Sequence, residues 1–313
     1  MDSTQPPPRC DDLCDATLER ANTIALAEFT PPALARRFDA RFRELLENGA
    51  AMGVVLEAVI DGRTCVAAGT WVFITDDVHE QLRSVPLESL DEWLVDDVLT
   101  GVLAREQIAR ANAGAGLHLL MLYFKGDDAE LAEEGRLRLV HEMRAHIFPN
   151  FLGYNLRSLT ARIRHLSQVD SAVQSGCRVM RDDAIPAPVR GEFLPYPVLL
   201  HAERNWVHFG SWIAGVFVWQ RPLFGFSAAE QRMLVLAMRG HRDEAIASIC
   251  GVGPSTVKKR WDSILARVAA AAPDLFDAGE ASASVPGRRG REKRTRLLTF
   301  LATHPEELRP YQA

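Results

Sequence analysis

Hydroxyl and cationic side chains cluster on one predicted helix near the end of the chain, over residues 254–268. Pro254 suits the first position of a helix, and at about 100° per residue the apolar side chains share one sector of it. The side chains that we assign to nucleic-acid contact are Ser255, Thr256, Lys258, Lys259, Arg260 and Ser263, together with Arg242 before the preceding helix. Such groups donate hydrogen bonds to base edges and bind phosphates, so they predict contacts with DNA.

Other patterns that would indicate catalysis or metal binding fail on their spacing. His141 and His146 are five residues apart, so on a helix they point about 140° away from each other and cannot share a metal ion. Cys10 and Cys14 have no second pair of ligands nearby, and no GxxxxGK[ST] phosphate loop occurs. We therefore predict that the protein is not an enzyme, with no catalytic residues, no metal site and no cofactor.

Residues 72–79 end in Asp76-Asp77-Val78-His79 and resemble the opening of a phosphorylatable receiver domain. A receiver also needs an acceptor aspartate at the end of a later strand, but the strand predicted over 117–124 is followed by Lys125. A strand that runs into an acidic loop or helix cap is the simpler interpretation. His201 and His208 are either pH sensors or polar residues with satisfied hydrogen bonds.

The first two thirds of the chain mix predicted strands and helices. An apolar run over 52–60, the turn Asp61-Gly62 and a strand from Thr64 predict a hairpin. Further strands are predicted over 117–124, 177–180, 194–200 and 211–220, and helices over 129–147 and 156–173. This mixture indicates an α+β domain, with PAS and GAF sensor domains as loose analogies.

The pattern becomes purely helical after Pro222. Ser227 and Glu230 have the spacing of a capping box, and Gly240 and the turn at Gly251 separate three predicted helices. Further on, residues 288–296 hold six cations in nine positions. They either bind phosphates or form the solvated side of a helix that packs through its leucines.

Residues 226–268 resemble the LuxR-type (GerE-like) DNA-binding domain of bacterial regulators. The resemblance rests on Phe226-Ser227, Glu230, Met233-Leu234, Gly240, Ile246-Ala247, Gly251-Val252, Thr256-Val257-Lys258 and Ile264. It implies a helix-turn-helix domain that binds DNA as a dimer, with contacts from Thr256 and Lys258. Two positions depart from the family, since Asp243 stands where Asn is frequent and Ala245 where Glu is favoured.

Charge is distributed unevenly along the chain, whose formal net charge is -5. Residues 1–225 hold 22 basic and 31 acidic residues, whereas residues 226–313 hold 14 and 10. The basic end therefore suits a polyanionic partner better than the acidic front does. Five scattered cysteines, the lack of an apolar run of about 18 residues and the lack of a secretory signal predict a cytoplasmic protein.

Together these patterns predict a multidomain protein, in which an N-terminal α+β sensor-like domain precedes an all-α helix-turn-helix domain (LuxR-type) and a short C-terminal helical extension. The predicted parts are a disordered tail, a regulatory domain, a DNA-binding domain, a linker and a basic helical extension, at 1–14, 15–222, 226–270, 271–290 and 291–313. The expected function is transcriptional regulation, with the helix at about 254–268 in the major groove.

The expected partners are double-stranded DNA, a second copy of the chain in a homodimer, RNA polymerase, and a small-molecule or protein effector that binds at unknown residues. No membrane partner is expected. Two alternatives remain open. One is an enzyme-like, small-molecule-binding N-terminal domain, such as a transferase, with a DNA-binding tail. The other is a protein-interaction regulator that binds DNA weakly.

Overall fold

Strands whose residues are mostly buried build one mixed sheet in the first part of the chain. The strands are β1 (Arg9–Asp12), β2 (Ala51–Ile60), β3 (Arg63–Ile74), β4 (Leu117–Gly126), β5 (Leu156–His165), β6 (Arg178–Val179) and β7 (Phe193–Glu203). Their order in the sheet is β1-β2-β3-β4-β5-β7-β6. Only β4 and β5 run parallel to each other among the paired strands of the described residues.

The computed structural model describes residues 9–12, 17–21, 29, 31–126, 130–181, 185, 193–207, 210–276 and 288–312. The chain divides into two units, a sheet unit over residues 1–218 and a helical unit over residues 219–313. Among the described residues, no helix combines the length and the apolar character that a bilayer span needs.

The hairpin between β2 and β3 turns at Asp61 and Gly62, as the sequence predicts. Both residues have positive φ angles, 53° and 78°. Two adjacent positive φ angles are the geometry of a type I′ turn, which matches the right-handed twist of the two strands. The hairpin is therefore specified locally, by two residues.

Helices cover both faces of the sheet. In chain order they are α1 (Pro32–Glu47), α2 (Asp76–Gln81), α3 (Leu90–Asp96), α4 (Arg105–Ala113), α5 (Glu133–His146) and α6 (Leu166–Gln174). Buried residues of α1 and α3 share a core with Leu120 and Leu199 of the sheet. Buried residues of α4, α5 and α6 share a second core with Leu119 and Leu200. Successive residues of a strand point to opposite faces, so these pairs define the α1 face and the α5 face of the sheet.

The parallel pair β4 and β5 separates before either strand ends. Their pairing runs from Leu117↔Leu156 to Met121↔Ala161, although β4 continues to Gly126 and β5 to His165. Helix α5 lies between the two strands in sequence and packs closely on the end of β4, because a Cβ at Gly126 would lie 2.7 Å from Cδ2 of Leu139. The carboxyl ends of the two strands therefore open apart beneath α5.

The helical unit contains α7 (Ala228–Met238), α8 (Asp243–Cys250), α9 (Pro254–Ala271) and α10 (Arg288–Thr303). The predicted capping box at the start of α7 is confirmed. The Ser227 amide donates to Oε2 of Glu230 at 2.8 Å, and the Glu230 amide donates to Oγ of Ser227 at 3.3 Å. Helix α8 ends at Gly251, whose φ of 65° is left-handed and favours glycine.

The last helix belongs to the core of this unit. Leu297 and Leu301 of α10 are buried in one cluster with Val257 and Trp261 of α9. The predicted fold class, a sensor-like α+β domain followed by an all-α helix-turn-helix domain (LuxR-type) and a short C-terminal helical extension, is wrong. The front of the chain is an α/β unit around one mixed sheet, and α10 completes a shared core because its apolar side needs a partner.

Two predicted elements are also wrong. Residues 156–165 form strand β5, whereas helix was predicted over 156–173, and only α6 after the strand is helical. Residues Trp212–Phe217 form a 3-10 helix in place of the strand predicted over 211–220. Of the predicted disordered tail over 1–14, residues 9–12 form β1 and the others lie outside the described residues. Of the predicted linker over 271–290, residues 277–287 lie outside the described residues, whereas α9 ends at Ala271, Pro273–Leu275 form a 3-10 helix and α10 begins at Arg288.

Candidate functional site

A cavity of about 570 Å³ lies between the α5 face of the sheet and helices α5 and α6. It occupies the position where β4 and β5 stop pairing. The sheet contributes an apolar floor, which consists of Met121, Leu159, Ala161, Ile163 and Leu200. Its volume is that of sites which hold small molecules, about 300–1,000 Å³. The alternation of β5 turns Leu159, Ala161 and Ile163 toward the cavity and the polar residues between them toward the α1 face of the sheet.

Charged residues of β4 and α5 line the same cavity. Three of them are the cations Lys125, Arg136 and Arg144, whereas Glu133 is the carboxylate. The Nε of Arg136 donates to the Leu131 carbonyl at 3.0 Å, which holds this side chain beside the start of α5. The excess of cations over an apolar floor suits a ligand with an apolar part and an anionic group.

Cys177 also lines the cavity, beyond the end of α6. Its side chain is buried, and the burial raises the pKa of the thiol to about 11. A thiol with this pKa is protonated at neutral pH, and the thiolate is the nucleophilic form. Cys177 therefore contributes surface to the cavity and no reactive nucleophile.

The other ionisable side chains of the cavity are His141 on α5 and His165 at the carboxyl end of β5. His141 is exposed, whereas His165 is half-buried and packs edge-on against Phe193, with ring centroids 5.4 Å apart. Imidazole is the side chain best suited to move a proton near neutral pH. His165 lies where the two parallel strands have opened, beside the apolar floor.

A second polar cluster lies on the α1 face of the sheet, and we name it the histidine cluster. It contains His79 of α2, His118 of β4 and His201 of β7. The ring centroid of His79 is 4.0 Å from that of His118 and 5.1 Å from that of His201. All three side chains are buried, and burial is the main cause that lowers the pKa of each.

His118 and His201, the two histidines of the cluster that lie on strands, each have a hydroxyl beside one ring nitrogen and a carboxylate beside the other. Nδ1 of His118 is 2.6 Å from Oγ of Ser158, and its Nε2 is 3.0 Å from Oδ1 of Asp76. A catalytic triad has this order of groups, but it exposes the hydroxyl and buries the carboxylate. Here Ser158 is buried and the Asp76 side chain is 70 % exposed, so the serine is not presented to a substrate.

The sequence-predicted DNA-contact residues lie together on the helical unit. Six of them are on α9, namely Ser255, Thr256, Lys258, Lys259, Arg260 and Ser263. Thr256 and Arg260 are half-buried and the other four are exposed. Arg242 is the exposed residue before α8, while the neighbouring Asp243 accepts hydrogen bonds from Trp261 and Arg294.

Sequence reasoning missed the cavity and His118. A signal for the strand was present, because residues 156–165 alternate polar and apolar side chains, Ser158, Thr160 and Arg162 against Leu159 and Ala161. This period of two indicates a strand. No comparable local signal joins His79, His118 and His201, which meet only through the register of the sheet.

No family model matches the chain, and no curated protein matches it. Among solved structures, the chain is similar to the C-terminal condensation domain of Ebony in complex with beta-alanyl-dopamine. The two share 11% sequence identity with a TM-score of 0.34, over 63% of this chain and 99% of that chain.

These comparisons correct the functional interpretation. No comparison returns a LuxR-type regulator, and the assignments as a DNA-binding transcriptional regulator and as a non-catalytic protein are wrong. The resemblance rested on a helix cap, turn glycines and core positions such as Val257 and Ile264. Those residues specify how helices pack, and packed helices serve many functions. Homodimerisation and the contacts with DNA, RNA polymerase and an effector stay predictions.

Proposed function

We propose that the sheet unit binds a small amphipathic anion in the cavity between β4, β5 and α5, and that it acts as an enzyme-like small-molecule transferase. The observation that carries the proposal is the cavity at the opened carboxyl ends of the only described parallel strand pair. In open sheets that contain parallel strands, ligands bind at the carboxyl ends of those strands.

The lining defines the ligand class. An alkyl or acyl part fits the floor formed by Leu159, Ala161 and Ile163, and an anionic group fits the three cations of β4 and α5. A carboxylate or phosphate beside Arg136 gains charge-assisted hydrogen bonds. An acyl donor whose leaving group is anionic, such as an acyl phosphate, combines the apolar acyl part and the anionic group in one molecule.

The chemistry that suits the cavity is direct transfer between two bound molecules. Cys177 is protonated, so the transferred acyl group does not form a bond to its sulfur on the way. An acceptor amine attacks the acyl carbon, the bond to the anionic leaving group breaks, and the amine loses one proton. His165 is the residue that we assign to accept this proton, because it lies in the cavity at the carboxyl end of β5.

Binding is tested separately from turnover. Octyl phosphate is an unreactive probe with both parts of the ligand class, and its binding to the full chain is measured by titration calorimetry. Ala161→Phe fills the floor and is expected to abolish the heat of binding. Val173→Phe, on the exposed surface of α6 outside the cavity, is the matched control and is expected to leave the heat of binding unchanged. A wild-type protein that binds no amphipathic anion overturns the proposal.

Turnover is tested with octanoyl phosphate and a panel of primary amines, with amide products detected by mass spectrometry. His165→Gln is expected to lower the rate at least about 100-fold, in the range of general base catalysis, and to leave octyl phosphate binding intact. If the wild type binds octyl phosphate but forms no amide product, the proposed transferase activity is rejected, whereas the proposed ligand site is kept.

The cytoplasm is the location that we propose for the protein. No disulfide joins the four described cysteines, Cys10, Cys65, Cys177 and Cys250. Cysteines in the thiol form fit a reducing compartment. Native mass spectrometry of protein purified with and without reductant tests this, since oxidation to a disulfide-linked form under native conditions contradicts it.

A further inference from the structure

The histidine cluster contains three side chains that converge like metal ligands. One ligand atom each from His79, His201 and Glu203 lies within 4.8 Å of the other two. His79 and His201 are buried, and Glu203 is half-buried at the end of β7. We propose that these three residues form a binding site for a divalent transition metal, with Zn²⁺ as the preferred ion.

The buried ring of His79 supplies the second, independent observation. It is 3 % exposed, and its Nδ1 has no hydrogen-bond partner among the described residues. A buried polar atom without a partner costs about 1–3 kcal/mol. A metal ion that recruits this imidazole relieves the cost, because a neutral ring nitrogen is a metal ligand.

The sheet holds His201 in an orientation that suits ligation. Its Nδ1 is 2.9 Å from Oγ1 of Thr160, and its Nε2 is 3.1 Å from Oε1 of Glu203. The hydroxyl on Nδ1 fixes the ring and directs Nε2 toward the carboxylate. Metal-binding histidines are regularly oriented through the nitrogen that does not touch the metal.

His118 acts as a positioning residue for His79. The two rings stack with an interplanar angle of 10°. His118 is itself held by Ser158 and Asp76, so it gives the ring of His79 a rigid surface to pack on. Trp206 packs edge-on against His201 and limits its movement in the same way, with ring centroids 5.4 Å apart.

The donor set selects the metal. Two imidazoles and one carboxylate are the ligands of zinc sites that keep a fourth position open for water or substrate. Zinc ligands at about 2.0–2.2 Å from the ion lie about 3.3 Å from each other in a tetrahedron. The three residues therefore close by on the order of 1 Å when the ion binds. Hard cations such as Mg²⁺ prefer a shell of oxygen ligands and are poorly matched.

Arg83 competes with the metal ion for Glu203. Its Nη2 is 3.3 Å from Oε1 of Glu203, so it competes for the same carboxylate. The Arg83 side chain is 42 % exposed and also lies near Glu80, at 3.8 Å. When the ion binds Glu203, the exposed Arg83 side chain can therefore pair with Glu80 instead. This competition predicts that removal of the guanidinium strengthens metal binding.

The experiment is a Co²⁺ titration of the full chain after treatment with a chelator and its removal. Co²⁺ replaces Zn²⁺ in tetrahedral sites and absorbs visible light, so ligation is read directly from the spectrum. We expect one Co²⁺ per chain, displaced by one equivalent of Zn²⁺. Glu203→Gln keeps the shape of the side chain and is expected to weaken binding on the order of 100-fold or more, because changes outside the ligand set already cost about 10–100-fold.

Three further variants sharpen the test. Arg83→Met is expected to tighten Co²⁺ binding, whereas His141→Gln, an exposed histidine on α5, is the matched control and leaves it unchanged. His79→Gln is compared with the wild type by circular dichroism, so that loss of the site is separated from loss of the fold. A wild-type protein without the visible band, or equal binding by Glu203→Gln, overturns the proposal.

Discussion

The imidazole rings of His79 and His118 stack face to face, with centroids 4.0 Å apart and planes 10° apart. Two protonated rings at this distance would repel each other strongly. The contact therefore excludes simultaneous protonation of both rings, which agrees with the lowered pKa of each. It joins a short helix, α2, to the start of β4.

Acid is expected to destabilise the sheet unit through His79. Burial lowers the pKa of His79 to about 3, whereas an unfolded histidine has a pKa of about 6.5. Between these values the unfolded chain binds more protons, so the contribution is complete above about pH 6.5 and falls with decreasing pH. In metal-free buffer, the wild type should lose about 1.4 kcal/mol more unfolding free energy than His79→Phe between pH 7.5 and 5.5.

Urea denaturation of both proteins at the two pH values measures this difference. His141→Gln removes an exposed histidine and serves as the matched control. Equal slopes for His79→Phe and the wild type would show that His79 does not remain neutral in the folded protein.

Asp91 on α3 is expected to be essential for stability. Its Oδ1 accepts from Nε of Arg162 at 2.6 Å and its Oδ2 from Nη2 of Arg164 at 2.7 Å, and all three side chains are buried. Asp91→Ala leaves buried cations uncompensated and should cost about 3–5 kcal/mol. Asp96→Ala breaks the exposed pair with Arg37 and should cost at most about 1 kcal/mol.

Thermal and urea unfolding of the two variants give this contrast directly. The cost at Asp91 arises because two buried cations lose the carboxylate that neutralises them, and not from the lost contact itself. A change below about 1 kcal/mol for Asp91→Ala, similar to that of Asp96→Ala, would mean that water reaches the two arginines.

Cys177 should react slowly with thiol reagents. Its raised pKa, about 11, leaves few thiolates at pH 7.5, and its side chain is buried. Cys250 ends α8 and is half-buried, so it is the internal comparison. Peptide mass spectrometry after a short exposure to iodoacetamide should show modification at Cys250 before Cys177. The reverse order would indicate that the cavity admits the reagent and activates the thiol.

Loss of the cap on α7 should destabilise the helical unit moderately. Ser227→Ala removes the acceptor for the Glu230 amide and is expected to cost about 1 kcal/mol of unfolding free energy. Ser263→Ala, on the exposed side of α9, is the matched serine control and should change stability by less than about 0.5 kcal/mol. Equal stability of the two variants would mean that water replaces the cap.

The parts of the fold that the sequence predicts correctly are set by neighbours along the chain. Ser227 and Glu230 are three residues apart and start α7, and Asp61 and Gly62 form the turn between β2 and β3. Their conformations depend on local sterics and hydrogen bonds, which a few residues contain in full. The functional interpretation failed because such residues describe helices and turns and say little about what a surface binds.

β5 shows why local patterns were insufficient elsewhere. Its alternation was visible, yet a strand with polar residues on one side normally turns that side to water. Here Arg162 is completely covered, because Asp91, 71 positions earlier in the chain, neutralises it. The burial of a charge depends on a partner that the sequence of the strand does not contain.

The sequence by itself determined the β2–β3 turn, the cap of α7 and the apolar sides of the helices, since these depend on φ angles, nearby hydrogen bonds and periodicity. Only the tertiary structure decided the cavity and the histidine cluster. The cavity exists because β4 and β5 separate after Met121↔Ala161, and the cluster because the register of three strands and α2 brings His79, His118 and His201 together. Separation and register are properties of the assembled sheet, where distant residues are held a few ångströms apart.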